Sequence, residues 1–131
     1  MRRVFLSHSR RDADLAAGIA RELRRRGIEP FDVLDNVTAG EDWRQTIKSA
    51  IRRADGFVLI VSTPEAVSTS WASYELGMAE ALGKQILLLL SHNYTIAELP
   101  LDMAGLPIVP FDPAHPQLAA HEVVDRLLAA A

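Results

Sequence analysis

Two short runs, Phe57 to Val61 and Ile86 to Leu90, contain only apolar residues. A strand with one wet face alternates apolar and polar side chains. An unbroken apolar run reads instead as a strand covered on both faces, which is the situation inside a parallel sheet flanked by helices. Neither run approaches the length needed to cross a bilayer. Between them, Ser70 to Leu82 carries a helical pattern that stops at Gly83, a good residue for the position after a helix end.

The rest of the chain repeats this alternation. Val4-Phe5-Leu6 is a β-rich run ended by Ser7-His8-Ser9, and Ser9 with Asp12 resembles a capping box that opens a helix. Leu15, Ile19 and Leu23 recur every fourth residue, and Gly27 marks the stop. Ile28 to Leu34 reads as a weaker strand with Pro30 near its start. A loop follows from Asp35 to Gly40, where Thr38 and Glu41 suggest a second capping box. Trp43, Ile47, Ala50 and Ile51 form the apolar stripe of the next helix, before the strand Gly56 to Ser62. After Gln85 to Leu90, a short helix is expected around Ile96 to Leu99. Leu106 to Phe111 is expected as an edge strand, because Pro107 and Pro110 cannot donate to a ladder. Leu118 to Ala130 closes the chain as a helix. Residues 1–131 are thus expected to form a single α/β domain: a flavodoxin-like, doubly wound, five-stranded parallel sheet in the order 2-1-3-4-5.

Composition narrows the function classes. The chain is 49% hydrophobic and 24% charged, with a net charge of -3, so no broad basic field is present to hold nucleic acid. The basic run Arg21 to Arg26 falls on the helix of Leu15, Ile19 and Leu23 and reads as its solvated face, with no nucleic-acid or membrane contact expected. Cysteine is absent, which excludes disulfides and thiolate metal sites and fits a reducing compartment. The basic start Met1-Arg2-Arg3 is followed by an apolar stretch that ends at Ser7, too early for a signal peptide, so a cytoplasmic protein is expected.

In a doubly wound sheet the ligand crevice lies beyond the carboxyl ends of the strands, where the strand order reverses. Here that places Ser7 to Arg11 and Ser62 to Ser70 around it, with the helix starting near Ser70 pointing its N-terminus inward. Trp71 and Glu75 share one face of that helix, one turn apart. The positive helix end favours an ionised carboxylate. An aromatic plane beside it suits a ligand with a flat base and a sugar that turns cationic in reaction. The bland reading stays open: Trp71 caps the core and Glu75 faces water, as Glu80 is expected to do. Other chemistries are poorly supported. No glycine-rich phosphate loop follows the first strand, no Gly-x-Ser-x-Gly elbow exists, and the acidic cluster of a response-regulator receiver is missing. His8, His92, His115 and His121 show no metal-ligand spacing, and His8 alone falls in the crevice, as a ligand contact or a bland surface histidine.

Val4-Phe5-Leu6-Ser7-His8-Ser9 with Asp12, Ala54 to Ser62, and Ser70-Trp71-Ala72-Ser73-Tyr74-Glu75-Leu76 together resemble the opening box, third strand and Ser-x-Trp-Cys-x-x-Glu-Leu stretch of Toll/interleukin-1 receptor (TIR) domains, with alanine in place of the cysteine. The resemblance covers nearly the whole chain. It implies, in enzymatic members, cleavage of the nicotinamide–ribose bond of NAD⁺ to give nicotinamide and ADP-ribose or a cyclised form. Glu75 then takes the catalytic role, and Ser7, His8, Trp43, Trp71 and Tyr74 bind substrate; NAD⁺ enters as substrate, with no separate cofactor or metal. It further implies homo-oligomers through TIR–TIR contacts. The chain ends in Leu-Ala-Ala-Ala without a sensor domain, so a sensor domain or protein lying C-terminal to this chain is expected. The Arg-Asp-x-x-Pro-Gly loop of animal adaptors is replaced by Asn36-Val37-Thr38-Ala39-Gly40-Glu41, and their Phe-Trp box is missing, which favours a bacterial-type domain with a role in defence signalling. Two other functions compete: a non-catalytic interaction module, for which the Trp71–Glu75 pair has no use, and a nucleoside 2-deoxyribosyltransferase-like enzyme acting at a sugar C1′.

Overall fold

The computed structural model of the chain describes residues 2–32, 42–63, 70–100, 103 and 105–129. Five strands form one all-parallel sheet: β1 (Arg2–Ser7), β2 (Ile28–Asp32), β3 (Gly56–Val61), β4 (Gln85–Ser91) and β5 (Ile108–Phe111). Their order is β2-β1-β3-β4-β5, so the chain reverses direction of travel between β1 and β3, as the alternation of elements predicts. The helices α1 (Ala13–Arg25), α2 (Trp43–Arg53), α3 (Ser70–Ala81) and α4 (Pro116–Ala129) cover both faces.

Alternation along the strands sorts the core into two layers. Val4, Leu6, Val58, Ile60, Leu87 and Leu89 meet α1 and α4 on one face, while Phe5, Phe57, Leu59, Val61 and Leu88 meet α2 and α3 on the other. Phe5 stacks between Phe31 and Phe57, with ring centroids 5.6 and 5.4 Å away. Both apolar runs are buried throughout, which is why they lack polar residues. The α1 stripe holds, with Ile19 and Leu23 buried and Leu15 packed at its margin, while Glu22 pairs with Arg25 and Arg26 on the wet side. Gly27 and Gly83 end α1 and α3 in the left-handed region, with φ of 81° and 68°.

Several local expectations are corrected. Ser9 makes no side-chain cap; a 3₁₀ turn over Arg10–Asp12 intervenes before α1, and Asp12 is used elsewhere. Helix α2 begins at Trp43 and is capped by Asp42, whose carboxylate accepts from the Gln45 backbone N–H at 3.4 Å. The expected Thr38–Glu41 capping box and the strand residues 33–34 lie outside the described residues. Trp43 is 39% exposed and leaves the apolar stripe to Ile47, Ala50 and Ile51. The Ile96 region is a single 3₁₀ turn, Ile96–Glu98, where Glu98 accepts from the Thr95 N–H at 2.8 Å. β5 starts at Ile108 and lies at the sheet edge, as its prolines predict. Among the described residues no helix is long and apolar enough to cross a membrane.

Candidate functional site

The carboxyl end of β1 sits at the reversal point, paired through Ser7 with Leu59 of β3 and through Leu6 with Asp32 of β2. Strand alternation sends consecutive residues to opposite faces, so Ser7 turns toward α3 and His8 toward the α1 side. Each finds a carboxylate. The Ser7 hydroxyl donates to Glu75 Oε1 at 2.6 Å, and both residues are buried. His8 Nε2 lies 2.8 Å from Asp32 Oδ2, close enough for an ion pair though poorly aligned as a hydrogen bond. Its Nδ1 lies 2.7 Å from the Ser9 carbonyl oxygen. Both ring nitrogens therefore face oxygens that only accept, an arrangement that suits the doubly protonated imidazolium.

Electrostatics agree with that geometry. Burial works against a charged His8, but the Asp32 contact, the Ser9 carbonyl and the charges of Asp32 and Asp12 outweigh it and hold its pKa above the ordinary 6.5. For Glu75, burial lifts the pKa from 4.5 to about 7; the Ser7 hydrogen bond and the His8 charge pull the other way, and Asp32 adds to the rise. The expectation that the helix end holds Glu75 ionised is thus corrected: Glu75 is the sixth residue of α3, and desolvation of a fully enclosed carboxylate outweighs a dipole whose effect falls off within the first turn. Nor does Glu75 face water, whereas Glu80 is exposed as expected.

A second tie crosses the reversal point. Asp12, 4% exposed, accepts from both the hydroxyl and the backbone N–H of Ser62, just past β3, the latter at 3.3 Å. The loops after β1 and β3 are thereby pinned together. Among the described residues, the buried side-chain atoms without a hydrogen-bond partner are Glu75 Oε2, Ser9 Oγ, Thr63 Oγ1 and the poorly aligned His8 Nε2, all at this end of β1 and β3 or facing it from α3. Folded proteins rarely leave such atoms unpaired, and their gathering in one place marks a site.

Of the sequence-nominated residues, Ser7, His8 and Glu75 come together. Trp43 and Tyr74 meet each other edge to face, ring centroids 6.5 Å apart, linking the starts of α2 and α3, with the Arg44 guanidinium 5.1 Å from the Trp43 ring. Tyr74 is 42% exposed. Trp71 falls in the first turn of α3, and its side chain lies outside the described residues. Asp12, Asp32 and Ser62 belong to the same constellation: Ser62 was placed at the crevice, Asp12 was read only as part of a capping box and the opening box, and Asp32 was missed. The available signal for Asp32 was an acid on the same strand face as the apolar Ile28 and Pro30, where Glu29 takes the other face; the Asp12–Ser62 pairing had none. Among the described residues no group of three acidic, histidine or cysteine side chains is placed to hold a metal. A groove of about 600 Å³ runs along α2 beside Arg3, Glu29, Phe31 and Arg53, apart from Glu75.

A family model described as the TIR domain matches residues 4–127. The chain belongs to the TIR-domain family. No curated protein sequence matches it. Among solved structures, a TIR-STING receptor from C. gigas in complex with 2′,3′-cGAMP superposes with a TM-score of 0.78 at 17% identity, covering 95% of this chain. This TIR domain spans only 38% of that receptor. The TIR domain of the Toll-related receptor TRR-2 from Hydra magnipapillata gives 0.75 at 17% identity, covering 95% of this chain and 96% of that one. The CMP N-glycosidase BcmB from Clostridium botulinum gives 0.63 at 19% identity, covering 94% and 98%. At such identities these likenesses establish the shared fold.

Proposed function

We propose that this TIR domain is a bacterial-type NAD⁺ glycohydrolase or cyclase that cleaves the nicotinamide–ribose bond. The observation that carries the reading is Glu75: a fully buried carboxylate at the strand-reversal crevice, with one oxygen held by Ser7 and the other unpartnered among the described residues. Membership of the TIR family supports it, and a CMP N-glycosidase with the same fold is compatible with chemistry at a ribose C1′.

In this mechanism the C1′–N bond breaks and nicotinamide leaves with the bonding electron pair. Positive charge develops on the ribose, and the Glu75 carboxylate stabilises it electrostatically or by bonding the ribose hydroxyls. Water then adds at C1′ and releases a proton, giving ADP-ribose; a nucleophile from the adenine gives a cyclised product instead. The exposed Trp43–Tyr74 pair supplies aromatic surface for the flat rings, and the family resemblance assigns Trp71 to the nucleotide. We further infer a cytoplasmic location, activation by TIR–TIR self-assembly, a sensor supplied from beyond this chain, and a role in anti-phage defence signalling.

The test is nicotinamide release from NAD⁺ at high protein concentration, comparing wild type with Glu75→Gln. Release by wild type and its loss in the variant, with the fold intact, is the expected result. An active Glu75→Gln protein overturns the mechanism. Turnover of simple nucleosides in preference to NAD⁺ moves the assignment to ribosyl transfer, and silence of a forced oligomer moves it to an interaction module.

A further inference from the structure

Ser7 was nominated from sequence as a substrate contact, but its surroundings give it another task. It is the last residue of β1, held in the ladder opposite Leu59, and is 1% exposed. A serine hydroxyl carries one hydrogen. Ser7 spends that hydrogen on Glu75 Oε1 at 2.6 Å and has none left to donate to a ligand. Without this bond the terminal torsion of a glutamate is broad and roughly two-fold, so its two oxygens exchange places freely. With it, Oε1 is fixed to the sheet, and Oε2, buried and without a partner among the described residues, is the oxygen left for the substrate.

We propose that Ser7 is the positioning residue of the site, clamping Oε1 of Glu75 so that Oε2 alone is presented to the ribose. This inference rests on the reading of Glu75 as the reacting carboxylate. The donor stands on a rigid strand rather than a loop, the placement that holds a reacting group within a few tenths of an ångström. The charged groups acting on Glu75 are His8 from the end of β1 and Asp32 from the end of β2, with Asp12 acting on His8. All three remain in place when Ser7 alone is changed.

The experiment is a carboxyl ¹³C NMR titration of Glu75 in the full chain, alongside kcat and KM for NAD⁺ across pH, for wild type, Ser7→Ala and Ser7→Thr. Loss of a hydrogen bond to the charged form moves a carboxylate upward by about one pH unit. Starting from about 7, that leaves about fivefold less ionised Glu75 at pH 7. Ser7→Ala is therefore expected to lower kcat about fivefold at pH 7 with KM nearly unchanged, to recover toward wild type at higher pH, and to be rescued by Ser7→Thr. A raised KM with an unmoved Glu75 titration makes Ser7 a substrate contact and overturns the proposal. If Ser7→Ala does not fold, Ser7→Cys, close in volume but a weak donor, is read in the same way. Should the wild type release no nicotinamide, the proposed activity fails, while the titration still decides whether Ser7 holds Glu75.

Discussion

An enclosed carboxylate prefers to keep its proton, and Glu75 shows what that costs. Its pKa stands at about 7 in the folded chain against an ordinary 4.5, chiefly because burial strips the charged form of water. The folded protein therefore binds this proton more tightly than the unfolded chain. The stability contributed is full below pH 4.5 and is lost as pH rises through 7; the difference amounts to roughly 3 kcal/mol. Replacing Glu75 with glutamine removes the titrating charge but keeps the shape. Glu75→Gln is thus expected to match wild type near pH 4 and to exceed it by up to roughly 3 kcal/mol at pH 8, read by urea denaturation at both values. Equal stability at pH 8 would mean that the carboxylate is solvated in the folded state. His8 acts in the same direction, since its raised pKa contributes stability below 6.5 that is lost above its folded value. A site that weakens its own scaffold at neutral pH is the kind of conflict that function, rather than folding, sustains.

At the scale of elements, the site depends on how the ends of β1 and β3 are tied. Asp12 sits in the 3₁₀ turn ahead of α1 and takes both the hydroxyl and the N–H of Ser62. Truncation leaves the half-buried Ser62 donors without their acceptor, so Asp12→Ala is expected to cost about 1–2 kcal/mol. Hydrogen exchange supplies the local readout: the Ser62 amide should lose protection in Asp12→Ala while the Leu88 amide, bonded to the Pro107 carbonyl in the sheet, keeps it. Uniform loss of protection would make Asp12 a general core residue instead of a local tie. The same pair shows where sequence reading ran out. Strands and helices were legible because their periodicities are local: the unbroken runs of β3 and β4, the fourfold spacing in α1, and the prolines of β5 each announced their element. Ser9-x-x-Asp12 obeyed a local rule too and was misread, because a partner 50 residues away claimed the carboxylate. Glu75 was nominated from its place on a helix near the crevice, yet its charge state was misjudged, since helix position is visible in a sequence and enclosure is not. Asp32 went unnoticed because only the β1–β2 register brings it beside the loop that starts at His8.

Across the whole molecule, the sheet separates two cores, and the site straddles the carboxyl ends of its central strands. Ser7 and Glu75 belong to the face of α2 and α3, while His8, Asp32, Asp12 and Ser62 lie toward the face of α1 and α4. The opposite end of β3 offers a way to ask how far strain travels between these parts. A Cβ added at Gly56 would stand 2.7 Å from Leu127 Cδ2 of α4, so the present position of that side chain requires a glycine beneath it. Gly56→Ala must push that leucine aside, an overpacking worth about 1–3 kcal/mol. Leu127→Ala alone opens a cavity and costs about 2–5 kcal/mol. In the double variant the new methyl group occupies part of the vacated space, so the two costs should fall short of additivity by about 1 kcal/mol or more in a double-mutant cycle. Because close-packed sheets repack locally before they shift as a body, the Glu75 titration is expected to stay where it is in Gly56→Ala even as the melting temperature falls by several degrees. Strict additivity would show that Leu127 swings away without strain. A displaced Glu75 titration would show instead that β3 carries strain along its length, from the α4 contact at Gly56 to the loop that Asp12 holds at Ser62.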